Sequence, residues 1–164
     1  NFVTDGFLTI ALGLQPRDED ILKKEYKHPS RYLLDKSMLS RMVSMGLVMS
    51  LGTLGLLLWY GELDYVRYTT IGLTVLAIFQ WFNAWNCRSE TQSIFQINYL
   101  KEKYLLLATS VVVGLQILAV YHPVMQRILH TSPLDLRDWL IITVAASSVI
   151  VVEELRKFWV RLKK

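Results

Sequence analysis

The chain has 164 residues, of which 52% are hydrophobic, a mean hydropathy of +0.31 and a formal net charge of +4. Because soluble domains are about 45–50% apolar and the excess here lies in long runs without charge, the composition indicates a membrane protein. A single cysteine, Cys87, excludes an intrachain disulfide and a cysteine-cluster metal site, and the three histidines are too far apart in sequence to predict a histidine site.

The first predicted element is half of a membrane helix, over residues 1–14. The stretch from Phe2 to Leu14 is almost entirely apolar and runs into charged residues, as the inner half of a membrane span would. Asn1, Thr4 and Asp5 stand at positions i, i+3 and i+4, so a helix places them on one face.

The side chains of these three residues all carry oxygen atoms, which hard cations such as calcium require as ligands. A carboxylate at membrane depth also indicates a functional site. The other interpretation is that the segment begins in water and that Asp5 merely caps a helix. The spacing alone leaves both interpretations open.

Four longer apolar segments follow a predicted cytoplasmic loop at 15–38. Their charge-free runs contain 20, 20, 23 and 14 residues, and a membrane helix needs about 20. The shortest run can span only if Glu153 and Glu154 lie inside the bundle or at the interface. The predicted membrane helices cover 39–60, 68–87, 104–125 and 138–159. The expected fold class is therefore all-α, a polytopic membrane helix bundle of a half-helix plus four transmembrane helices, with no second soluble domain.

The positive charges predict the orientation of this bundle. Of the 18 Lys and Arg residues, 15 lie in alternate connections, and such residues accumulate on the cytoplasmic side. Residues 14–41, 88–103 and the tail are therefore expected to be cytoplasmic in a multi-pass protein of the lipid bilayer. The net charge needs no nucleic-acid partner to explain it. Short outer loops favour a prokaryotic cell membrane.

Amide side chains form a second polar constellation on the second full span, in the stretch IFQWFNAWNCRSETQS. Gln80, Asn83 and Asn86 recur every three residues and drift slowly around one side of a helix. Their carbonyl oxygens can bind ions, or the amides can hydrogen-bond to neighbouring helices. The structural interpretation is favoured for Asn86, which lies nearest the interface, whereas both interpretations stay open for Gln80.

The last predicted helix carries two carboxylates. Glu153 is expected to pair with Lys157 at i+4, and Trp159 is expected to anchor the helix at the interface. Other aromatic residues near the ends of the spans are predicted to form an aromatic belt and not a cofactor site: Trp59, Tyr60, Tyr68, Tyr104, Tyr121 and Trp139.

Three stretches resemble P-type cation-transporting ATPases, most closely the calcium-pump group. NFVTDGFLTIALGLQPRDEDI is similar to their sixth transmembrane helix and the loop after it, whose pattern begins Asn-Leu-Val-Thr-Asp-Gly. FNAWNCRSETQSIF resembles the eighth helix, and PLDLRDWLI with EELRKFW resembles the tenth. The resemblance covers the whole chain in the right order. One departure is that LTIALG lacks the proline of the family.

The resemblance implies roles for individual residues. Asn1, Thr4 and Asp5 would bind the transported cation, and the helix would be partly unwound near Gly6. Gln80 aligns with a glutamate that serves an additional ion site in two-site calcium pumps. A neutral amide there departs from the two-site pattern, so Gln80 is a possible ligand, and Asn83 is a weaker candidate.

The resemblance also implies an activity for the full-length protein. A pump of this family would export or sequester a cation, here Ca²⁺, and would use ATP and Mg²⁺ in phosphorylation, nucleotide-binding and actuator domains that this sequence does not contain. The fragment alone would not hydrolyse ATP, and residues 14–37 would face the phosphorylation domain. The alternatives are another cation (manganese, magnesium, sodium/potassium) or a non-catalytic membrane anchor or accessory helix bundle.

Overall fold

The computed structural model describes residues 2–14, 36–61, 64–89 and 92–162, and every regular element in these ranges is a helix. Within them, a short 3-10 helix, Ile94–Gln96, precedes the fourth of the α-helices. In chain order the α-helices are α1 (Phe2–Gly13), α2 (Lys36–Tyr60), α3 (Tyr65–Asn86), α4 (Lys103–Tyr121), α5 (Pro123–Leu129), α6 (Leu136–Ala146) and α7 (Ser148–Leu162).

Two of these helices are long and apolar enough to cross a membrane, Met38–Tyr60 within α2 and Lys103–Tyr121. Large apolar side chains of α2 are exposed, among them Leu51, Leu58 and Trp59, which is the arrangement expected for a helix that faces lipid. The all-helical character is confirmed in the described residues. The number of spans stays a prediction.

The central helix of the bundle is α3, which contacts α1, α2, α4, α6 and α7. Its 22 residues correspond to about 33 Å of helix. Ile71, Val75 and Phe79 are fully buried along it. Because α3 also carries the amides singled out from the sequence, these amides lie on the helix that the other helices surround.

Polar contacts join the helices at both ends of the bundle. At one end, the Arg41 guanidinium near the start of α2 donates to the carbonyl oxygen of Asn86 at the end of α3, at 3.2 Å. At the other end, the Tyr60 hydroxyl donates to Asp138 near the start of α6, at 2.8 Å. Helix α2 therefore runs antiparallel to both α3 and α6. We refer to these two ends as the Arg41 end and the Tyr60 end.

The structure differs from the predicted helix boundaries after residue 121. The helix predicted over 104–125 ends at Tyr121, because Pro123 disfavours helical backbone at the residue before it, and His122 is extended at φ −80°, ψ 125°. The connection beyond contains α5, which has Pro123 in its first turn and ends at left-handed His130.

The helix predicted over 138–159 is divided into α6 and α7 at Ser147. The Ser147 hydroxyl donates to the Val144 carbonyl at 2.6 Å, and a side chain bonded in this way competes with the regular helical pattern. Only Ser147 separates α6 from α7, and the two helices together cross the bundle from the Tyr60 end to the Arg41 end.

Close packing of α2 on α3 depends on a glycine. A Cβ atom at Gly52 would lie 2.7 Å from Cζ of Phe79, whereas a Cβ at Gly46 would meet nothing within 4 Å. The absence of a side chain at position 52 therefore lets the buried Phe79 ring lie against the backbone of α2. Small residues serve membrane helix contacts in the same way.

We expect Gly52→Ala to destabilise the full-length protein by about 1–3 kcal/mol, because overpacking displaces a buried ring. The measurement is thermal unfolding in detergent. Gly46→Ala is the matched control and should leave the midpoint unchanged or raise it. Phe79→Leu in the Gly52→Ala background should recover part of the loss, and purely additive effects of the two substitutions would contradict the proposed contact.

Candidate cation site

Helix α1 packs against α4 and α3 through an apolar face. Leu8 and Ala11 are buried, at 3% and 5% exposure, whereas Phe7 and Ile10 on the other side are exposed. The contact therefore rests on the i and i+3 positions of one helix face.

The residues predicted to bind the cation lie at the beginning of this helix. Positions 4 and 5 precede Leu8 by about one turn of the same helix. Asn1 lies outside the described residues, as do the side chains of Thr4 and Asp5. Their role as ligands stays a prediction.

The expected unwinding near Gly6 is wrong for this structure. Helix α1 is continuous from Phe2 to Gly13. The family's proline is missing from LTIALG, and without a proline no backbone N–H of this stretch is lost from the helical pattern. A single glycine weakens a helix without breaking it.

The candidates Gln80 and Asn83 lie on α3, which contacts α1. Both are half-buried. The Oδ1 atom of Asn83 lies 4.0 Å from Sγ of Cys87, one turn further along the same helix. The fold thus brings together the two helices that carry Thr4, Asp5, Gln80 and Asn83, while the assignment of Gln80 and Asn83 as ligands stays a prediction.

Asn86 bonds to neighbouring helices, the structural role that its position near the interface favoured. It is fully buried, and its Nδ2 donates to the carbonyl oxygen of Val149 on α7 at 3.2 Å. Its own carbonyl oxygen accepts from Arg41 at 3.2 Å and from Lys157 at 3.1 Å. These contacts satisfy the end of α3, where backbone carbonyls lack helical partners.

A buried ion cluster surrounds this helix end. Glu153 on α7 is fully buried. One of its oxygens lies 2.9 Å from Arg41 of α2, and Arg156 binds both oxygens at 2.8 and 2.9 Å. We call Arg41, Asn86, Glu153, Arg156 and Lys157 the Glu153 cluster. It joins α2, α3 and α7 at the Arg41 end.

The expected pairing of Glu153 with Lys157 is replaced by this arrangement. Two guanidinium groups reach the carboxylate, and their planar donors match its geometry better than an ammonium does. The fully buried Lys157 ammonium instead donates to Asn86. With three cationic side chains around one carboxylate, the cluster is electrostatically unsuited to hold a further cation.

A second polar cluster joins three helices at the Tyr60 end. The Arg67 guanidinium of α3 binds Asp135 at 2.8 Å and Asp138 at 2.7 Å, and Asp138 also accepts from Tyr60 of α2. The hydrogen bond to Asp135 and the charge of Asp138 raise the pKa of Arg67 above its usual value. We call Tyr60, Arg67, Asp135 and Asp138 the Asp138 cluster.

Sequence reasoning did not identify the Asp138 cluster, although it contains a recognisable signal. Asp135 and Asp138 form a capping box at the start of α6, and an acidic residue three positions after a helix cap is typical of such a box. Their partner Arg67 comes from another helix, so sequence spacing could not reveal the pair.

A third polar contact lies inside the bundle, between α3 and α4. Gln116 Nε2 donates to the Thr74 hydroxyl at 3.0 Å, and both residues are buried. In the ranges that the structure describes, no group of three or more His, Cys, Asp or Glu side chains could hold a metal ion. A cation site that includes these helices would therefore depend on amide, hydroxyl and backbone oxygens together with Asp5.

Comparison with known proteins identifies the family. Residues 1–159 match the family described as "Cation transporting ATPase, C-terminus". The chain belongs to this family. It is 31% identical to calcium-transporting ATPase 1 of Saccharomyces cerevisiae over 99% of its length, and 30% identical to calcium-transporting ATPase type 2C member 2 of Mus musculus over 97%. A calcium-transporting ATPase of Plasmodium falciparum is 26% identical over 99%.

Family membership confirms the resemblance to the C-terminal region of P-type cation pumps, and the names of these relatives agree with the calcium-pump group. The chain spans 17–18% of the length of these relatives. The relatives named here are eukaryotic, so the expectation of a prokaryotic cell membrane gains no support from them and stays a prediction.

The Glu153 cluster leads to a prediction about stability. Glu153→Gln should destabilise the full-length pump by about 1.5–3 kcal/mol, because it removes charge-assisted hydrogen bonds between a buried carboxylate and two partly buried guanidinium groups. The measurement is unfolding by heat or denaturant in detergent. Lys101→Gln, at an exposed position, is the control and should leave stability unchanged. Combining Glu153→Gln with Arg41→Gln should cost less than the sum of the single effects, and full additivity would contradict the ion pair.

Proposed function

We propose that the chain forms part of the ion-translocation domain of an ATP-driven P-type pump that exports or sequesters calcium. The observation that carries this proposal is the match of residues 1–159 to the C-terminal family of cation-transporting ATPases, with the Asn-Phe-Val-Thr-Asp-Gly motif at its beginning. The names of the relatives support calcium as the ion.

Within this proposal, Asp5 supplies the charge of the cation site. Of the five candidate ligands only Asp5 has a carboxylate side chain, and the others, Asn1, Thr4, Gln80 and Asn83, offer neutral oxygens. A divalent cation in a low-dielectric site requires carboxylate charge. The remaining charge and ligands would come from other helices of the same pump.

Helix α3, which carries Gln80 and Asn83, is held at both ends. The Glu153 and Asp138 clusters join these ends to neighbouring helices. We infer that α3 is a fixed wall of the site while ATP-driven phosphorylation switches the site between the two sides. ATP and Mg²⁺ would act in the cytoplasmic domains of the full-length pump.

We expect Asp5→Asn in the full-length pump to raise the calcium concentration needed for phosphorylation from ATP by roughly 10–100-fold or more, because charged ligand contacts are worth about 1.5–3 kcal/mol each. The measurement is calcium-dependent incorporation of labelled phosphate. Asp64→Asn is the matched control, since Asp64 is exposed beside α3 and makes no side-chain cap. It should leave the calcium dependence unchanged.

The same assay separates the alternatives when it is run with calcium, manganese, magnesium and sodium/potassium. If another cation activated phosphorylation at a lower concentration than calcium does, the protein would still be a P-type pump, but its transported ion would be that cation. Unchanged ion dependence in Asp5→Asn would exclude a cation site at Asp5 and would favour an anchoring role for this region.

The proposed orientation puts the Arg41 end in the cytoplasm and can be tested with Cys87, which is exposed there. In a full-length pump without other cysteines, a membrane-impermeant maleimide should label Cys87 in inside-out vesicles and not in sealed right-side-out vesicles. Ile128→Cys in a Cys87→Ser background is the matched control, because Ile128 is exposed on α5 near the Tyr60 end. It should show the opposite pattern, and labelling of both from one side would contradict the topology.

A further inference from the structure

An apolar groove runs along the outside of the bundle between α2 and α6. It has a volume of about 420 Å³, and its walls include Leu51, Leu56, Leu140 and Val144. Leu51 and Trp59 are eight positions apart, or about 12 Å along the helix axis. The groove therefore has the elongated apolar shape that suits an acyl chain.

A second, polar cavity of about 320 Å³ adjoins the groove at the Tyr60 end. Trp59 and Ile141 line both cavities, so the two lie side by side, and we call them together the slot. A slot with an apolar body and a polar end has the polarity of a phospholipid at a membrane interface.

The polar end of the slot carries both signs of charge. Arg67 and Arg137 line it together with Asp135 and Asp138. The Asp135 carboxylate is 74% exposed even though it binds Arg67, so it can accept a further donor. Two cations and two anions leave the cavity without net charge, which complements a headgroup that is itself neutral overall and carries a separated phosphate and ammonium.

A glycine, Gly55, lies against open space in the apolar body of the slot. A Cβ atom at Gly55 would meet nothing within 4 Å, unlike one at Gly52, which would meet Phe79. Gly55 lines the groove, so a large side chain there would extend into the space without displacing the core. A substitution at position 55 can therefore test whether a ligand occupies the groove.

We propose that the slot between α2 and α6 binds one zwitterionic phospholipid from the leaflet at the Tyr60 end. The phosphate lies against Arg137 and Arg67, the ammonium lies against Asp135 and the ring of Trp59, and one acyl chain follows α2 past Gly55. This inference requires the proposed membrane insertion of α2, but it does not depend on the cation site.

A transmembrane helix of another protein fits the same surface less well. Such a helix would fill the apolar groove, but it would need separate acidic and basic side chains to complement Arg137 and Asp135. A phosphodiester and an ammonium supply both charges in a single headgroup and can form charge-assisted hydrogen bonds to both sides of the cavity.

The test uses the full-length pump, purified in mild detergent after reconstitution with dioleoylphosphatidylethanolamine, dioleoylphosphatidylglycerol or dioleoylglycerol. Native mass spectrometry counts the lipids retained. We expect one retained phosphatidylethanolamine, with weaker retention of the anionic lipid and of the lipid without a headgroup. Gly55→Leu should lose this lipid, whereas Gly46→Leu, at an open position on the same helix, should retain it. Arg137→Gln should weaken retention of phosphatidylethanolamine and leave that of dioleoylglycerol unchanged.

Equal retention of all three lipids, or normal retention by Gly55→Leu, would overturn the proposal. The alternative outcome is that a single-span protein co-purifies with the pump. If Gly55→Leu abolished this co-purification and left the number of retained lipids unchanged, a helical partner would replace the lipid and the proposal would be overturned. Calcium-dependent phosphorylation of each variant is measured in parallel and is expected to persist, so that failure of the cation site is distinguishable from failure of the lipid slot.

Discussion

The buried carboxylate of Glu153 is the interaction on which the arrangement of the long helices depends. Apolar burial holds membrane helices together only weakly, because lipid is as apolar as the helix surfaces, so polar contacts and close packing decide how they associate. Glu153 brings Arg41 of α2 and Arg156 of α7 to one point. Arg41 and Lys157 also donate to the carbonyl oxygen of Asn86, the last residue of α3. One carboxylate thereby links three helices at the Arg41 end, and replacing it would take a charged acceptor from two partly buried guanidinium groups at once.

The opposite end of α3 is joined by a cluster built on the same principle but with different chemistry. At the Tyr60 end the buried group is Asp138, which accepts from a tyrosine and an arginine on two other helices. The two clusters lie at the ends of a helix of about 33 Å and leave its middle to Phe79, Gln80 and the Gln116–Thr74 bond. The central helix is therefore held at both ends, and the segment with the candidate ligand Gln80 lies between fixed points.

Sequence patterns predicted the helical class and the approximate helix positions because charge-free runs of membrane length report directly on helices. They also predicted the cross-helix role of Asn86, since an amide close to the interface has few other partners. The partner Arg41 of Glu153 was not predictable, because helical spacing considers one helix and Arg41 comes from another more than a hundred positions away. The partner Arg156 lies at i+3 on the same helix, a spacing that the sequence does offer. The unwinding near Gly6 was inferred from the family and was wrong here, and the missing proline had already indicated the physical reason.

A simple count of Lys and Arg combines two kinds of basic residue. Some are held at one end of the bundle by packing, and others are exposed there. Arg41, Arg156 and Lys157 all lie at the end that the charge count assigns to the cytoplasm, yet these three belong to the Glu153 cluster and are held there by packing. The bias does not depend on them alone, since Lys101 and Lys103 are exposed on the connection near the same end. At the Tyr60 end, Arg67 is bound by two aspartates, but acidic residues contribute little to the orientation of a membrane protein. The predicted orientation therefore rests on the larger number of Lys and Arg residues at the Arg41 end.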